Sequence, residues 1–351
     1  MISKEIQSLV RPNIIDLKPY KSARHEFVRT KNSMLFLDAN ENPYGKFNRY
    51  PDPLQTRLKN IIAHIENVSP EQIFIGNGSG EIIQLICTAF CIPRQDSVLT
   101  MPPTFSLFQI IAQTHEIQNI SVPLTKEFFQ LDTTSILNQI ADKNPKIIFI
   151  TSPNNPTGNS FNIVDIKQIL NYSKGLVVID EAYIDFTEQP SFKHFLEDFS
   201  RLIVVRTLSK GKGLASARIG IGFANPEIIT ILNKVKPPFN VSTSNQETAI
   251  SRLKNTDEIN YEVTEIIKQR QWLMQELSNF DFVVKTYPSD ANFILIKVID
   301  SNKLYRKLIS NGIVVRNISG YLHCENTLRI TIGLKKENEF LIESLKAIEN
   351  Q

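Results

Sequence analysis

Lys210 lies in the run Leu202-Ile-Val-Val-Arg-Thr-Leu-Ser-Lys-Gly-Lys-Gly-Leu-Ala-Ser-Ala-Arg218. The β-branched apolar stretch Leu202–Val205 reads as a buried strand, and Thr207, Ser209 and Lys210 follow it directly. A lysine just past a buried strand can face a partly desolvated pocket. Loss of hydration disfavours the ammonium form and frees the amine for Schiff-base chemistry. The flanking hydroxyls, together with Arg218, can hold a phosphate. One segment thus offers an amine for an aldehyde and donors for a phosphate ester, the two things pyridoxal phosphate requires of a protein. A solvated lysine in a glycine-rich loop is the alternative, and this segment alone does not choose between them.

Two further strands end in polar groups of the right kinds. Lys146–Thr151 reads as a strand running into Ser152-Pro-Asn-Asn-Pro-Thr-Gly158, and Leu176–Ile179 as one ending in Asp180-Glu-Ala-Tyr183. In open α/β sheets ligands bind beyond the carboxyl ends of the strands, so Asn155, Asp180, Tyr183 and Lys210 are expected to meet in one crevice. A carboxylate against a pyridine nitrogen keeps it protonated and the ring electron-poor, a role open to Asp180. Asn155 and Tyr183 can hydrogen-bond the phenolic oxygen of such a ring. Taken singly, Asp180 reads equally as a helix N-cap and Asn155 as a turn residue. Upstream, strand-like Gln72–Ile75 leads through Gly76-Asn-Gly-Ser-Gly80 and Glu81 into the helical pattern Ile82–Phe90. A glycine loop opening a helix is a phosphate cradle, here without the spacing of a dinucleotide or P-loop fingerprint. Phe105, after strand-like Ser97–Met101, can stack on a cofactor ring or fill a core.

Asn155-Pro-Thr-Gly158, Asp180-x-x-Tyr183, Ser209-Lys210 and Arg218 resemble the signature of the fold-type-I pyridoxal-phosphate aminotransferases. Longer strings resemble the histidinol-phosphate aminotransferase family: Pro19-Tyr-Lys-Ser-Ala-Arg24, Leu37-Asp-Ala-Asn-Glu-Asn-Pro-Tyr-Gly45, Arg49-Tyr-Pro-Asp-Pro53, Gly76-Asn-Gly-Ser79, Asp180-Glu-Ala-Tyr-Ile-Asp-Phe186 and Leu328-Arg-Ile-Thr-Ile-Gly333. The resemblance implies roles at matching positions. Lys210 would bond the cofactor aldehyde and shuttle the substrate proton, Asp180 would pair with the pyridinium, and Asn155 and Tyr183 would bind the ring oxygen. Ser79, Thr207, Ser209 and Arg218 would hold the phosphate, with Gly80 and Glu81 of the same loop in the cofactor site, and Phe105 would stack on the ring. Tyr50 would reach the cofactor of the partner subunit in a homodimer with shared sites. Tyr20, Asn40, Arg316 and Arg329 would bind substrate. The implied reaction is transamination between L-histidinol phosphate and 2-oxoglutarate, giving imidazole-acetol phosphate and L-glutamate, a step of histidine biosynthesis. Aromatic aminotransferases and decarboxylases of phosphorylated amino acids share the fold and stay open. More remote is a non-enzymatic cofactor-binding module; those carry a helix-turn-helix segment ahead of this fold, and only some 30 residues precede the site-bearing segment. Two positions depart from the pattern. Gly80 stands where the family often has Asp, and Lys212, in a stretch that is usually more apolar, reads as solvated.

The elements that must position these residues set the fold class. Strands and helices alternate from about residue 72 to 224, which predicts an α/β fold with a mostly parallel sheet wrapped by helices. A long helix is predicted over Asn255–Phe280, with Ile259, Val263, Ile266, Ile267, Met274 and Leu277 on one face and Trp272 packing near it. Strand-like Phe282–Lys285, Phe293–Val298, Ile313–Arg316 and Leu328–Ile332 follow, so a smaller α+β domain is expected. This is the pyridoxal-phosphate-transferase fold type I division that the resemblance implies: an N-terminal segment 1–30 packing with the small domain, a large cofactor-binding domain over 31–250 and a small domain over 251–351. A chain of 351 residues suits two cores. Its net charge of +3 is spread without a basic run, which argues against nucleic acid. No stretch approaches the ~18 apolar residues of a membrane helix, and Met1–Val10 has no signal-peptide pattern, so a cytoplasmic location is expected. Cys87, Cys91 and Cys324 read as buried reduced thiols. The five histidines show no ligand spacing, and no metal is proposed.

Overall fold

The computed structural model of the chain describes residues 2–20 and 35–350. Seven strands, β1 (Ile73–Asn77), β2 (Ser97–Thr100), β3 (Gln118–Ser121), β4 (Ile147–Thr151), β5 (Leu176–Asp180), β6 (Leu202–Thr207) and β7 (Ile219–Ala224), form one sheet in the order β1-β7-β6-β5-β4-β2-β3. β7 runs antiparallel to both its neighbours, and the other pairs are parallel. The middle strands β4, β5 and β6 are buried along nearly their whole length and apolar up to their carboxyl ends, because both faces are covered. Alternate residues go to opposite cores, as a two-residue period demands. Ile148, Ile150, Val177, Ile179 and Val204 enter one core, and Ile147, Phe149, Val178, Ile203 and Val205 the other.

The first core is closed by α3 (Thr56–Glu66), α6 (Thr133–Lys143), α7 (Ile163–Tyr172) and α9 (Thr243–Leu253). The second is closed by α1 (Lys4–Leu9), α2 (Pro12–Ile15), α4 (Ser79–Phe90), α5 (Leu107–Thr114) and α8 (Pro226–Val235). Within the segment 1–30 expected against the small domain, α1 and α2 pack instead on the large sheet. Ile6, Leu9, Val10 and Ile14 are buried with Phe74, Ile82 and Ile228 of the large sheet's second core. Ser3 bonds Glu227 at 2.6 Å, and Arg201 pairs with Glu5 at 2.8 Å. Apolar residues on a short helix declare that it is buried, not which core receives it. Residues 35–52 carry no helix or strand.

A four-stranded antiparallel sheet of β8 (Val283–Thr286), β9 (Phe293–Val298), β10 (Arg316–Asn317) and β11 (Thr327–Thr331) is ordered β10-β11-β9-β8. It packs with α10 (Thr256–Leu277), α11 (Ser301–Ser310) and α12 (Lys335–Glu349) around Leu273, Ile294, Ile296, Leu308, Leu328 and Leu345. β10 is shorter and later than expected: Ile313 and Val315 pack against this core without pairing. On α10, Ile259 and Leu277 are buried as expected, Trp272 packs on the core, and Arg270 is buried too. Its guanidinium donates to the carbonyls of Phe186 (3.1 Å) and Ala291 (2.8 Å). Cys87, Cys91 and Cys324 are all buried free thiols. Among the described residues no helix is long and apolar enough to cross a membrane.

Candidate active site

Parallel register sets the floor of the site. Thr151 at the end of β4 stands opposite Asp180 at the end of β5, and Asp180 opposite Val205 of β6. Two residues on, Thr207 pairs with Gly220 of β7, which pairs in turn with Gly76 of β1. A Cβ on Gly220 would sit 2.4 Å from the Gly78 carbonyl carbon and from the Ser79 nitrogen. The turn into α4 therefore lies directly on Gly220. Gly78 takes φ +80° to make that turn, a conformation that favours glycine. Ser79, Gly80 and Glu81 are the first three residues of α4, so their N–H groups have no partner within the helix.

These strand ends enclose a cavity of about 300 Å³. Ser79, Phe105, Asn155, Asp180 and Tyr183 line it from the ends of β1, β2, β4 and β5, Thr207 from the end of β6, and Ser209, Lys210 and Arg218 from beyond it. Arg329 enters from the small sheet. Ten of the sequence-predicted residues are thus brought together.

Asp180 is buried, and one of its oxygens accepts a hydrogen bond from the Ala182 N–H at 3.0 Å. Among the described residues it has no ion-pair partner. Burial pushes its carboxyl up to about 7, and the neighbouring Glu181 adds to the rise. The Lys210 amine is held below the ordinary lysine range, first by burial and then by Arg329 and Arg218, with Asp180 opposing. Its nitrogen lies 5.6 Å from the centre of the Tyr183 ring. Tyr183 packs edge-on against Phe293 at 5.2 Å, and burial raises its phenol to about 12, so it remains a donor at neutral pH. Arg329 donates to the Asn155 side-chain oxygen, which leaves the amide N–H₂ of Asn155 for other acceptors. At the far end Thr207 Oγ1 lies 3.0 Å from Ser209 Oγ and accepts from the Ser209 N–H at 3.1 Å. Arg218 donates to the Ala215 carbonyl at 3.2 Å and reaches Ser209 Oγ at 3.4 Å, with no carboxylate on it among the described residues. Phe105 meets Phe108 edge-on at 5.7 Å, one side of it on the cavity.

Other expected residues are placed elsewhere. Glu81, expected at the cofactor, turns its carboxylate back to accept from the Asn77 N–H (2.6 Å) and Asn240 Nδ2 (2.8 Å), so it braces the loop. Gly80 faces Leu107, 3.1 Å from where a Cβ would be; the family's usual Asp would be crowded here. Arg316 lies outside the cavity lining but directly opposite Arg329 in the β10–β11 pair. Asn40 and Tyr50 line a separate cavity with Ser242–Ser244, and Tyr50 stacks on Phe239 at 4.6 Å. Tyr20 is exposed; Lys21–Arg24 of its matching string lies outside the described residues. Lys212, expected to be solvated, pairs with Asp185 at 2.9 Å.

Several contributors are not visible from the residue pattern. Thr151 lines the cavity because strand register carries it opposite Asp180, and Ala182 because the turn after β5 does. Asn154 is fully buried and donates to the Pro103 carbonyl (2.9 Å) and Thr157 (2.7 Å), tying the loop after β4 to the loop after β2. Behind Asp180, Glu181 accepts from Arg206, Ser191 and the Phe192 N–H, and Arg206 reaches Glu66 at 2.8 Å. The Asp-Glu doublet was the available signal, since a second carboxylate beside a buried one needs a cation.

The chain matches the model of the class I and II aminotransferases over residues 22–345. The histidinol-phosphate aminotransferase of Christiangramia forsetii is 49% identical over 347 residues, covering 99% of each chain. The chain belongs to this aminotransferase family. The solved histidinol-phosphate aminotransferase of Clostridium acetobutylicum superposes with TM-score 0.80 at 28% identity, covering 87% of this chain and 91% of that one. That of Sinorhizobium meliloti, solved with pyridoxal 5′-phosphate, shares the fold at TM-score 0.78 and 22% identity over 86% of this chain and 83% of that one. As a member of the family the chain is a pyridoxal-phosphate-dependent aminotransferase. The cavity fits that cofactor: among the described residues Asp180 is a buried carboxylate lacking a cation, and N–H groups at the start of α4 without helical partners stand beside two hydroxyls and an arginine free of carboxylates.

Proposed function

We propose that the enzyme moves an amino group between L-histidinol phosphate and 2-oxoglutarate in histidine biosynthesis, acting in the cytoplasm as a homodimer with shared sites. The observation that carries the substrate reading is that Arg329, which lines the cavity, stands directly opposite Arg316 in the β10–β11 pair. Like charges directly opposite across two strands repel, and burial already lowers Arg329 from the ordinary arginine value. A phosphate with up to two charges relieves that repulsion, and either guanidinium can bind it bidentately. A carboxylate needs only one of them, which lets one pocket accept glutamate and then a phosphate ester.

Bound pyridoxal phosphate supplies an electron sink that stabilises negative charge at the substrate Cα. In this reading Asp180 keeps the proton on the pyridine nitrogen, an interaction that gives its carboxylate the missing cation. Asn155 and Tyr183 donate to the ring oxygen; Asn155 is oriented for this because Arg329 occupies its own oxygen. Lys210, its basicity lowered by burial, would take the substrate Cα proton as a neutral amine and hold it for return on the far side of the substrate nitrogen. Ser79, Thr207, Ser209, Arg218 and the N–H groups of Gly80 and Glu81 hold the phosphate, and Phe105 covers the ring. Tyr50 of each subunit serves its neighbour's phosphate, and Tyr20 and Asn40 line the substrate side. The test is a half-reaction titration of the cofactor-loaded enzyme with histidinol phosphate, histidinol, tyrosine and threonine phosphate, followed by cofactor absorbance. Conversion by histidinol phosphate far below the concentration needed of the others is expected. Equal response to histidinol, or a better one to tyrosine, overturns the reading, and carbon dioxide release from threonine phosphate replaces it.

A further inference from the structure

The segment Asp180–Phe186 does more than carry Asp180 and Tyr183. A 3₁₀ turn over Ile184–Phe186 follows Tyr183 and brings Asp185 onto the turn that holds Lys210. A Cβ on Gly211 would lie 2.2 Å from Asp185 Oδ2 and 2.6 Å from its Cγ, so the carboxylate lies flat on the Gly211 backbone. Its other oxygen pairs with Lys212 Nζ at 2.9 Å, each side chain only 21% exposed. On the opposite side Arg252 of α9 donates to the Lys212 carbonyl at 3.0 Å and is itself held by Glu258 and Glu262 of α10. Within the turn the Gly213 N–H bonds the Lys210 carbonyl at 3.0 Å. Lys210 thus sits one residue from a position seated by a carboxylate and two from a side chain held by it.

We propose that the Asp185–Lys212 ion pair, closed over Gly211, positions Lys210 for reaction and keeps the Lys212 amine from competing for the same aldehyde. The proposal rests on reading Lys210 as the reacting amine. Asp185 and Lys212 are positioning residues: neither lines the cavity. Gly211 belongs to the device because a side chain there would evict the carboxylate.

Asp185→Asn keeps the shape and removes the charge, Lys212→Met removes the partner, and Lys212→Arg restores it. Since reacting groups must be held within a fraction of an ångström, kcat in Asp185→Asn and Lys212→Met should fall about 10- to 100-fold, with KM for glutamate changed less than about threefold. Lys212→Arg should return most of kcat. A second readout is independent of turnover: borohydride reduction of the cofactor-loaded enzyme and peptide mass mapping of the fixed adduct. Wild type should carry it on Lys210, and Asp185→Asn should place part of it on Lys212. Wild-type kcat and an adduct confined to Lys210 in Asp185→Asn would overturn the proposal. Should that variant not fold, equal kcat in Lys212→Met and Lys212→Arg would do so. A wild-type adduct on a different lysine would instead defeat the assignment of Lys210 itself.

Discussion

At Asp180 the proposed contact with the cofactor and the stability of the cofactor-free chain meet in one carboxyl group. Its carboxyl is raised from the ordinary 3.8 to about 7 by burial. The folded chain therefore holds this proton more tightly than the unfolded chain does. The residue's contribution to stability is full below pH 3.8, falls as pH rises toward about 7, and is a fixed penalty above that. At pH 8 the penalty reaches up to roughly 4 kcal/mol. Asp180→Asn should accordingly make the cofactor-free protein more stable at pH 8 and flatten its stability between pH 4 and 7, while removing most transamination. Denaturant melts at several pH values check this; parallel curves for variant and wild type would count against it. The type and order of Asn155, Asp180, Tyr183 and Lys210 were legible in the sequence because each follows an apolar strand. The direction of a side chain was not. Glu81 reads as part of a phosphate loop yet bonds backward to Asn77 and Asn240, and Lys212 reads as solvated until Asp185 is found beside it.

Among the elements, the turn from β1 into α4 depends most on a single atom's absence. An Ala at 220 would drive its Cβ into Gly78 and Ser79 backbone at 2.4 Å, which no side-chain adjustment relieves. Gly220→Ala should cost about 1–3 kcal/mol of stability by overpacking and weaken pyridoxal phosphate at least tenfold, measured by equilibrium titration. Gly222→Ala is the control: its nearest neighbour would lie at 3.5 Å, ordinary contact, and cofactor affinity should hold. Equal affinities in the two variants would refute a role for the close approach. Strands buried on both faces, such as Phe293–Val298, were legible from their apolar runs. β3 was not, because Gln118–Ser121 is an edge strand with no buried residue. β10 is only two residues long, set by pairing with β11 and not by its own composition.

At the scale of the whole molecule, the two sheets divide the work. The large sheet carries the proposed cofactor cavity, and the small one extends Arg329 into it with Arg316 opposite it in β10. Arg329 is partly buried and Arg316 exposed, and a charge-assisted contact between either guanidinium and a bound phosphate is lost with that guanidinium. Arg316→Ala should therefore cut kcat/KM for histidinol phosphate much more than for glutamate, and Arg329→Ala should harm both; equal losses in Arg316→Ala would show that the two arginines do not share the phosphate. Tyr50 stacks on Phe239 and lines a different cavity from Lys210 in its own chain. Mixing inactive Tyr50→Ala with inactive Lys210→Ala subunits should regain activity, since a hybrid dimer then has one complete site. Confirmed hybrids without activity would remove Tyr50 from the neighbouring site. The two-sheet division was readable from the change in pattern after residue 250, but the berth of α1 and α2 was not: Ile6 and Ile14 fit any apolar surface, and α4 and α8 claim them.

The burial of Cys87, Cys91 and Cys324, none more than 1% exposed, has a practical reach beyond the fold. The native chain offers almost nothing to a maleimide dye. Cysteines introduced at Tyr172 on α7 and Phe340 on α12, both about half exposed, would take donor and acceptor fluorophores with every native thiol left in place. Energy transfer between them would then report, in solution and in real time, whether the two halves of the enzyme shift against each other as amino donor arrives and keto acid leaves.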